Sequence, residues 1–165
     1  MKLLTLIRHA KSSWAHPELD DIDRPLNARG LKAAPLMGQR LAVSRKDWSG
    51  VRMFTSPARR ARDTAELIAA ELSLSAGAIT ELPHLYTFDA RELLLAIRTL
   101  PDDSEAVLLV AHNPAITEVA NLLTGAQIDN VPTAGMVSMS LDIPGWRQAA
   151  AGDAILLEFD YPKRT

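Results

Sequence analysis

Short apolar runs alternate along the chain with longer segments in which apolar residues recur every three or four positions. The runs predict strands at residues 3–7, 51–55, 79–82, 106–111, 137–141 and 155–159. The helical spacing predicts helices over residues 28–43 and in segments that begin near residues 57, 90 and 114. Between the first strand and the first helix, the polar residues 12–27 predict a long loop of the kind that is usually functional or mobile. Strands alternating with helices indicate an α/β fold, a three-layer α/β/α sandwich with a mostly parallel central sheet.

Four polar signals predict where the helices begin. Asn27 is expected to cap the first helix, and Ser56-Pro57 predicts a cap followed by proline at the first helical position. Asp89-Ala90-Arg91-Glu92 has the spacing of a capping box, with Asp in place of Ser or Thr. Asn113-Pro114 repeats the pattern of cap and proline. Because Pro35 lies inside the first helix, a kink or a later start is expected there.

The composition limits the classes of protein to which the chain can belong. Its 165 residues, 47% hydrophobic and 23% charged, fit a single globular domain over residues 1–165. A net charge of −2 favours neither nucleic acid nor an acidic membrane surface as a partner. The chain has no cysteine, which excludes disulfides, thiolate zinc sites and cysteine nucleophiles and fits a reducing compartment.

The first apolar run is too short for a secretory signal, because Arg8, His9 and Lys11 interrupt it. No stretch of the sequence approaches the roughly 20 apolar residues that a membrane span needs. We therefore expect a soluble, cytoplasmic protein with no membrane partner.

Two histidines occupy equivalent places, since His9 and His112 each follow a predicted buried strand. The carboxyl ends of strands form the ligand crevice of open α/β sheets, so both rings can face one pocket. A third strand end, Thr55-Ser56-Pro57, leads into a helix that begins with Arg59, Arg60 and Arg62. Helix N-termini favour anions, and guanidinium groups match phosphate oxygens. Together these features predict a phosphate site.

Each of these features also has a simpler explanation. A single histidine at a strand end is more often a structural residue, and a run of arginines on a helix is usually a solvated face. Arg59, Arg60 and Arg62 cannot all face the same way on one helix. A metal site is disfavoured, because the four histidines are scattered and no pair has the spacing of one ligand face. His16 and His84 receive no role. The prediction depends on the convergence of the separate signals.

Three segments carry a family resemblance. Leu6-Ile7-Arg8-His9-Ala10 follows the first strand, Thr55-Ser56-Pro57-Ala58-Arg59-Arg60-Ala61 the second, and Val110-Ala111-His112-Asn113 ends the buried run. In this order they resemble the motifs of the histidine phosphatase (phosphoglycerate-mutase-like) superfamily. The resemblance spans most of the chain and implies a phosphoglycerate-mutase-like fold.

The finer resemblance is to the SixA-type phosphohistidine phosphatases, the small members of that superfamily. Residues 8–14, residues 23–30 and Leu85-Tyr86 with the capped helix after them are similar to SixA-type segments. Larger mutases and sugar phosphatases carry a longer central insert, for which this chain is too short. Ala10 stands where larger members have glycine, which agrees with the SixA-type branch.

The resemblance implies roles for individual residues. His9 is expected to attack phosphorus and to become transiently phosphorylated, with Arg8 and Arg60 holding the phosphate and His112 as the second pocket histidine. The family arginine stands three residues after the proline and before alanine, which selects Arg60 over Arg59. The resemblance also places Arg24 near the pocket. Ser56 and Asn113, inside the second and third motifs, are predicted to contact the substrate.

No general acid stands out in the sequence. Mutases and many phosphomonoesterases supply one from the central loop, where the candidates here are Glu81, Asp89 and Glu92. The capping pattern accounts for Asp89 and Glu92, and nothing supports Glu81. An alkoxide leaving group gains roughly 10²–10⁴-fold from a positioned acid. Imidazolium has a pKa of about 6.5, so a phosphorylated imidazole needs such help less.

The sequence therefore predicts a metal-independent phosphohistidine phosphatase that needs no cofactor and acts on a phosphorylated protein or on a small phosphoester. Two alternatives remain open. A small-molecule phosphomonoesterase would use Glu81 or Asp89 as its acid. A non-catalytic phosphoprotein-binding module would be favoured if His9 or Arg60 were missing, but both are present.

Overall fold

A computed structural model describes residues 1–164, and Thr165 lies outside the described residues. The strands are β1 Lys2–Arg8, β2 Arg52–Thr55, β3 Ile79–Glu81, β4 Ala106–Ala111, β5 Met136–Leu141 and β6 Ala154–Asp160. The helices are α1 Ala28–Ala42, α2 Arg59–Glu71, α3 Ala90–Arg98 and α4 Ala115–Thr124. Every predicted strand and helix is present, with boundaries shifted by a few residues at most.

The six strands form one sheet in the order β3-β2-β4-β1-β5-β6. β1 and β2 both pair with β4 in parallel, and β2 also pairs with β3 in parallel. β5 runs antiparallel to β1 and β6, so within the described sheet it is the one strand that opposes the others. The prediction of an α/β fold with a mostly parallel sheet is confirmed.

Helices cover both faces of the sheet and divide its apolar side chains between two cores. On β4, Val107 and Leu109 contribute to the core beneath α3 and α4, and Leu108 and Val110 to the core beneath α1 and α2. Successive side chains of a strand point to opposite faces, so a strand buried on both faces must be apolar throughout. This explains the unbroken apolar run at residues 106–111 and gives the predicted three layers.

The first turns of α1 and α3 have the predicted caps. Asn27 accepts a hydrogen bond from the backbone N–H of Gly30 at 2.9 Å. Asp89 accepts from the N–H of Arg91 at 2.7 Å, and its own N–H donates to the Thr87 hydroxyl at 3.1 Å. The Glu92 carboxylate accepts from that hydroxyl at 2.7 Å. Thr87 thus stands between the two acids of the predicted capping box.

The predicted start of α2 is wrong. Ser56 does not cap the helix and Pro57 is not in its first turn, because α2 begins at Arg59 with Ala58 as the N-cap residue. The Ser56 hydroxyl accepts a hydrogen bond from the N–H of Ala58 at 3.2 Å. It therefore stabilises the turn that joins β2 to the helix. The helix begins two residues later than predicted, at Arg59 instead of Pro57.

Two proline predictions need smaller corrections. α1 begins at Ala28 and includes Pro35, so of the two alternatives expected there, a kink or a later start, the later start is wrong. α4 begins at Ala115 with Pro114 at the N-cap, one position later than predicted. Asn113 still satisfies the first turn, because its Oδ1 accepts from the N–H and the hydroxyl of Thr117 at 3.1 and 2.9 Å.

No helix among residues 1–164 combines the length and the apolar character needed to cross a membrane.

Candidate active site

His9 and His112, the two histidines predicted to share a pocket, lie close together at the carboxyl edge of the sheet. β1 and β4 are adjacent and parallel, and their register pairs Arg8 with Ala111. The next residues, His9 and His112, are therefore at the same level, and their ring centroids are 5.1 Å apart. The sheet topology brings together two side chains that are far apart in sequence, as the sequence predicted.

A hydrogen bond to the backbone fixes the orientation of the His9 ring. Its Nδ1 lies 2.8 Å from the carbonyl oxygen of Ala10. A carbonyl only accepts, so Nδ1 carries the proton, and Nε2 of the neutral ring holds a free electron pair. The Ala10 N–H donates to the Thr64 hydroxyl at 2.9 Å, which anchors this segment to α2.

Both histidines are neutral near pH 7. Burial lowers the pKa of His9 to about 4, against an opposing effect of the Ala10 hydrogen bond and with help from the neighbouring arginines. Burial likewise lowers the pKa of His112 to about 3, and the charge that His9 would carry when protonated and the charge of Arg60 add to the effect. A neutral His9 can act as a nucleophile without first losing a proton.

His112 is held from two sides. Its Nε2 lies 2.7 Å from the Ser56 hydroxyl, and its Nδ1 lies 3.5 Å from Nη2 of Arg60. Ser56 is fully buried. Its predicted contact with substrate stays a prediction, and in this structure the hydroxyl contacts His112.

Of the three arginines in the first turn of α2, Arg60 points into the site. Its side chain is 2% exposed, whereas Arg59 and Arg62 are about half exposed and pair with Asp63 and Glu81. The placement agrees with the expectation from helix geometry that the three cannot face the same way.

Arg8 enters the site from the end of β1. Its Nη1 donates to the carbonyl oxygen of Val131 at 3.0 Å. The Nε atoms of Arg8 and Arg60 are buried and have no hydrogen-bond partner within the described part of the chain. Buried donors of this kind are costly unless a ligand accepts from them.

Arg24 lies at the edge of the site and is buried. Its Nη1 donates to the Ser12 hydroxyl at 2.8 Å and to the carbonyl oxygen of Ser13 at 3.2 Å. The Trp14 ring covers the guanidinium group, whose central carbon is 3.7 Å from the ring centroid. Arg24 thus lies near the pocket, where the resemblance places it.

Asn113 uses its side-chain atoms within the protein. Its Nδ2 donates to Asn130 Oδ1 and to the carbonyl oxygen of Val131, both at 3.0 Å, and its Oδ1 accepts from Thr117. It thereby links the start of α4 to the loop that holds Arg8. The predicted contact between Asn113 and substrate stays a prediction.

Asp21 is a site residue that the sequence reasoning missed. Its carboxylate accepts hydrogen bonds from Arg60 at 3.0 Å, from Tyr86 at 2.6 Å and from Arg24 at 3.2 Å. Partial burial raises the pKa of Asp21, but these hydrogen bonds outweigh it and lower the pKa to about 2. No local signal distinguished it from the neighbouring acids Asp20 and Asp23, since its partners are distant in sequence.

The three acids that the sequence offered as proton donors each contact other groups of the protein. Glu81 is 3.5 Å from Arg62, Asp89 caps α3, and Glu92 accepts from Thr87. In the described part of the chain, Asp21 is the one carboxylic acid that lines the cleft containing His9. Its low pKa keeps it ionised, so at neutral pH it is no proton donor.

The cleft has a volume of about 710 Å³, and its lining includes Arg8, His9, Arg24 and Arg60. Positive side chains and a neutral imidazole thus face an open space large enough for a phosphorylated side chain. Within residues 1–164, no group of three or more His, Asp or Glu side chains is arranged to hold a metal ion.

A family model described as the histidine phosphatase superfamily (branch 1) matches residues 4–93, more than half of the chain. The chain belongs to the histidine phosphatase superfamily. The resemblance found in the sequence is confirmed, and with it the prediction that the protein is a phosphatase.

Two similar proteins align with nearly the whole chain. An uncharacterized protein of Mycobacterium leprae (strain TN) is 31% identical over 170 residues, which cover 95% of this chain and all of that protein. A SixA structure from Nakamurella multipartitia is 25% identical with a TM-score of 0.76, covering 99% of this chain and 97% of that one.

More distant structures share the fold. The protein histidine phosphatase SixA in complex with tungstate is 21% identical, with a TM-score of 0.78 over 97% of each chain. A mycobacterial glucosyl-3-phosphoglycerate phosphatase is 16% identical, with a TM-score of 0.63 over 94% of this chain and 96% of that one. The fold is therefore shared by phosphatases that differ in substrate.

Proposed function

We propose that this protein is a metal-independent phosphohistidine phosphatase that works through a phospho-His9 intermediate. The observation that carries the proposal is the orientation of His9, whose Nδ1–H is bonded to the Ala10 carbonyl so that Nε2 is free. The arginines beside it supply positive charge without a metal ion. The proposal includes the reaction, the roles given to the individual site residues, and a single domain over residues 1–165.

The mechanism is a two-step displacement. In the first step Nε2 of His9 forms a bond to phosphorus while the substrate's N–P bond breaks, and the leaving imidazole keeps the electron pair. Arg8, Arg60 and His112 stabilise the charge on the equatorial oxygens. In the second step a water oxygen attacks phosphorus, the bond to His9 breaks, and the water protons remain with the released phosphate.

The preference for an N–P substrate is supported by the lack of a protonated acid in the cleft. Asp21 lines it, but its pKa is about 2, so it is an anion at neutral pH. An alkoxide leaving group would depart without a proton donor, at a cost of roughly 10²–10⁴-fold in rate. A phosphorylated imidazole can carry a proton on its second nitrogen before the bond breaks. The SixA structure from Nakamurella multipartitia, which is 25% identical to this chain, supports this choice.

The test is phosphate release, with EDTA present, from a 3-phosphohistidine peptide and from an alkyl phosphate monoester. We expect faster release from the peptide, and a loss of roughly 10³-fold or more in His9→Ala. His84→Ala is the control, because His84 is exposed and does not line this cleft. Activity that survives in His9→Ala would rule out the nucleophile, and activity lost with EDTA would rule out the metal-independent mechanism.

A small-molecule phosphomonoesterase is the second candidate, and the position of Asp21 against Arg60 favours it. A bound substrate that drew Arg60 away would weaken the hydrogen bonds that keep the pKa of Asp21 low, and the carboxyl group would then be available as an acid. In that case the alkyl ester would be the better substrate, and Asp21→Asn would abolish its hydrolysis.

The partners and the location belong to the same proposal. The substrate is a phosphorylated protein that carries phosphohistidine, and no nucleic acid or membrane takes part. The cytoplasmic location expected from the sequence stays a prediction.

A further inference from the structure

Two aromatic side chains line the cleft without any part in the mechanism above. Trp14 and Phe88 both border the space that contains His9. Trp14 is 78% exposed and Phe88 is 47% exposed, although both are large and apolar. Exposed apolar side chains grouped beside a polar site commonly mark a surface that binds a ligand.

The Trp14 ring is held in place on one side only. The guanidinium group of Arg24 packs on it at 3.7 Å, and Arg24 is fixed in turn by the Ser12 hydroxyl and the Ser13 carbonyl. A ring supported in this way loses little freedom when something binds to it. The rest of its surface is open to solvent.

Phe88 stands beside the reacting histidines. Its ring centroid is 5.3 Å from that of His112 and 5.8 Å from that of Tyr86. His112 is 5.1 Å from His9, so Phe88 is one ring removed from the nucleophile. About half of its surface is nevertheless free.

We propose that Trp14 and Phe88 form the subsite for the leaving group, and that its ligand is the imidazole ring of a phosphorylated histidine. The inference rests on the proposed function and adds to it the residues that recognise the departing ring. A phosphoryl group bound by Arg8 and Arg60 beside His9 has its leaving group within the same cleft, which these two rings also line. Flat aromatic rings attract one another in offset or edge-on arrangements.

The same subsite supports departure of the leaving group. A phosphorylated imidazole that carries a proton on its second nitrogen is a cationic ring. The faces of Trp and Phe attract cations, also at solvent-exposed positions such as these. The aromatic subsite thus favours the protonated leaving group and takes over part of the work that a general acid performs in an ester phosphatase.

The experiment compares two substrates that share the N–P bond. One is a 3-phosphohistidine peptide, and the other is phosphoramidate, whose leaving group is ammonia and has no ring. The measurement is kcat/KM for both substrates with the wild type, Trp14→Leu, Trp14→Phe and Phe88→Leu. Leucine keeps apolar bulk without a π-face, and Trp14→Phe restores an aromatic ring. Val43→Ala is the control, because Val43 is exposed at the far end of α1, roughly 20 Å from its first turn.

We expect the ratio of kcat/KM for the peptide to that for phosphoramidate to fall about tenfold in each leucine variant. Trp14→Phe should retain most of the ratio, and Val43→Ala should not change it. An unchanged ratio in the leucine variants would overturn the subsite, whether or not both activities fall together. If the wild type hydrolyses phosphoramidate or an ester but not the peptide, the proposed function itself is wrong and the subsite with it.

Discussion

Ser56 and Ala10 each engage one nitrogen of a reacting histidine. The Ala10 carbonyl accepts from Nδ1 of His9, and the Ser56 hydroxyl lies 2.7 Å from Nε2 of His112. Nη2 of Arg60 can only donate, so Nδ1 of His112, 3.5 Å away, accepts, and Nε2 carries the proton that is donated to the Ser56 oxygen. The Ser56 hydroxyl thereby fixes the tautomer of His112 and its orientation beside Arg60 and His9. Ser56 would in this way position His112 beside the nucleophile.

Ser56→Ala tests this role. We expect kcat to fall about tenfold with little change in KM, because a buried hydrogen-bond partner of His112 is lost. Ser56→Thr keeps the hydroxyl and should restore most of kcat, and thermal unfolding of each variant checks that the added methyl group is tolerated. A rise in KM with kcat unchanged would instead support the direct contact with substrate that the second motif suggested.

At the scale of elements, the loop between β1 and α1 is closed at its base. The backbone of Asn27 donates to the carbonyl oxygen of Lys11 at 2.9 Å, and Ser12 forms a β-bridge with Leu26. Gly30, in the first turn of α1, lies so close that an added Cβ would be 2.2 Å from the Lys11 oxygen. The first turn of α1 therefore supports the segment that follows His9, and the closed loop holds Asp21 at the cleft.

Gly30→Ala should destabilise the protein by about 2 kcal/mol, because the new Cβ would force helix and loop apart. In an unobstructed helix the same change stabilises by about 1 kcal/mol, so the expected sign is reversed. Urea unfolding measures the change, with Gly77→Ala as the control, since the nearest atom to its new Cβ is 3.9 Å away. Equal stability of the two variants would show that α1 does not pack tightly against the loop.

At the scale of the whole molecule, catalysis and stability are linked through the buried histidines. Burial lowers the pKa of His9 to about 4 and that of His112 to about 3. In the unfolded chain both would titrate near 6.5. At a pH between the folded and the unfolded pKa values, the unfolded state binds more protons than the folded state. The free energy of unfolding therefore falls as the pH falls.

We therefore expect the melting temperature to be steady above pH 7 and to decrease from about pH 6.5 towards pH 4. Over this range, protonation linked to His9 lowers the free energy of unfolding by on the order of 3 kcal/mol, because each unit of pKa shift corresponds to about 1.36 kcal/mol. Replacing His9 by Ala should flatten the decrease, and His84→Ala, at an exposed site, should leave it unchanged. A decrease that is identical in His9→Ala would show that His9 is not buried in its neutral form.

Much of the fold and part of the site could be predicted because the signals are local. The unbroken run of β4, the caps at Asn27 and Asp89, and a histidine after each of two strands can be read from neighbouring residues. Parallel pairing then brings His9 and His112 together, since the carboxyl ends of such strands lie at one edge of the sheet. Even the choice of Arg60 follows from local spacing within its motif.

Other features depended on contacts between distant residues, and only the tertiary structure decided them. Asp21 accepts from Tyr86 and Arg60, which are 65 and 39 residues away in sequence. Ser56 was expected to cap a helix, but His112, 56 residues away, is close enough to share its hydroxyl. The sequence by itself determined the elements, the two histidines and the family. The packing of loop on helix determined which acid lines the cleft and which aromatic rings border it, because those positions depend on side chains that meet only in the folded chain.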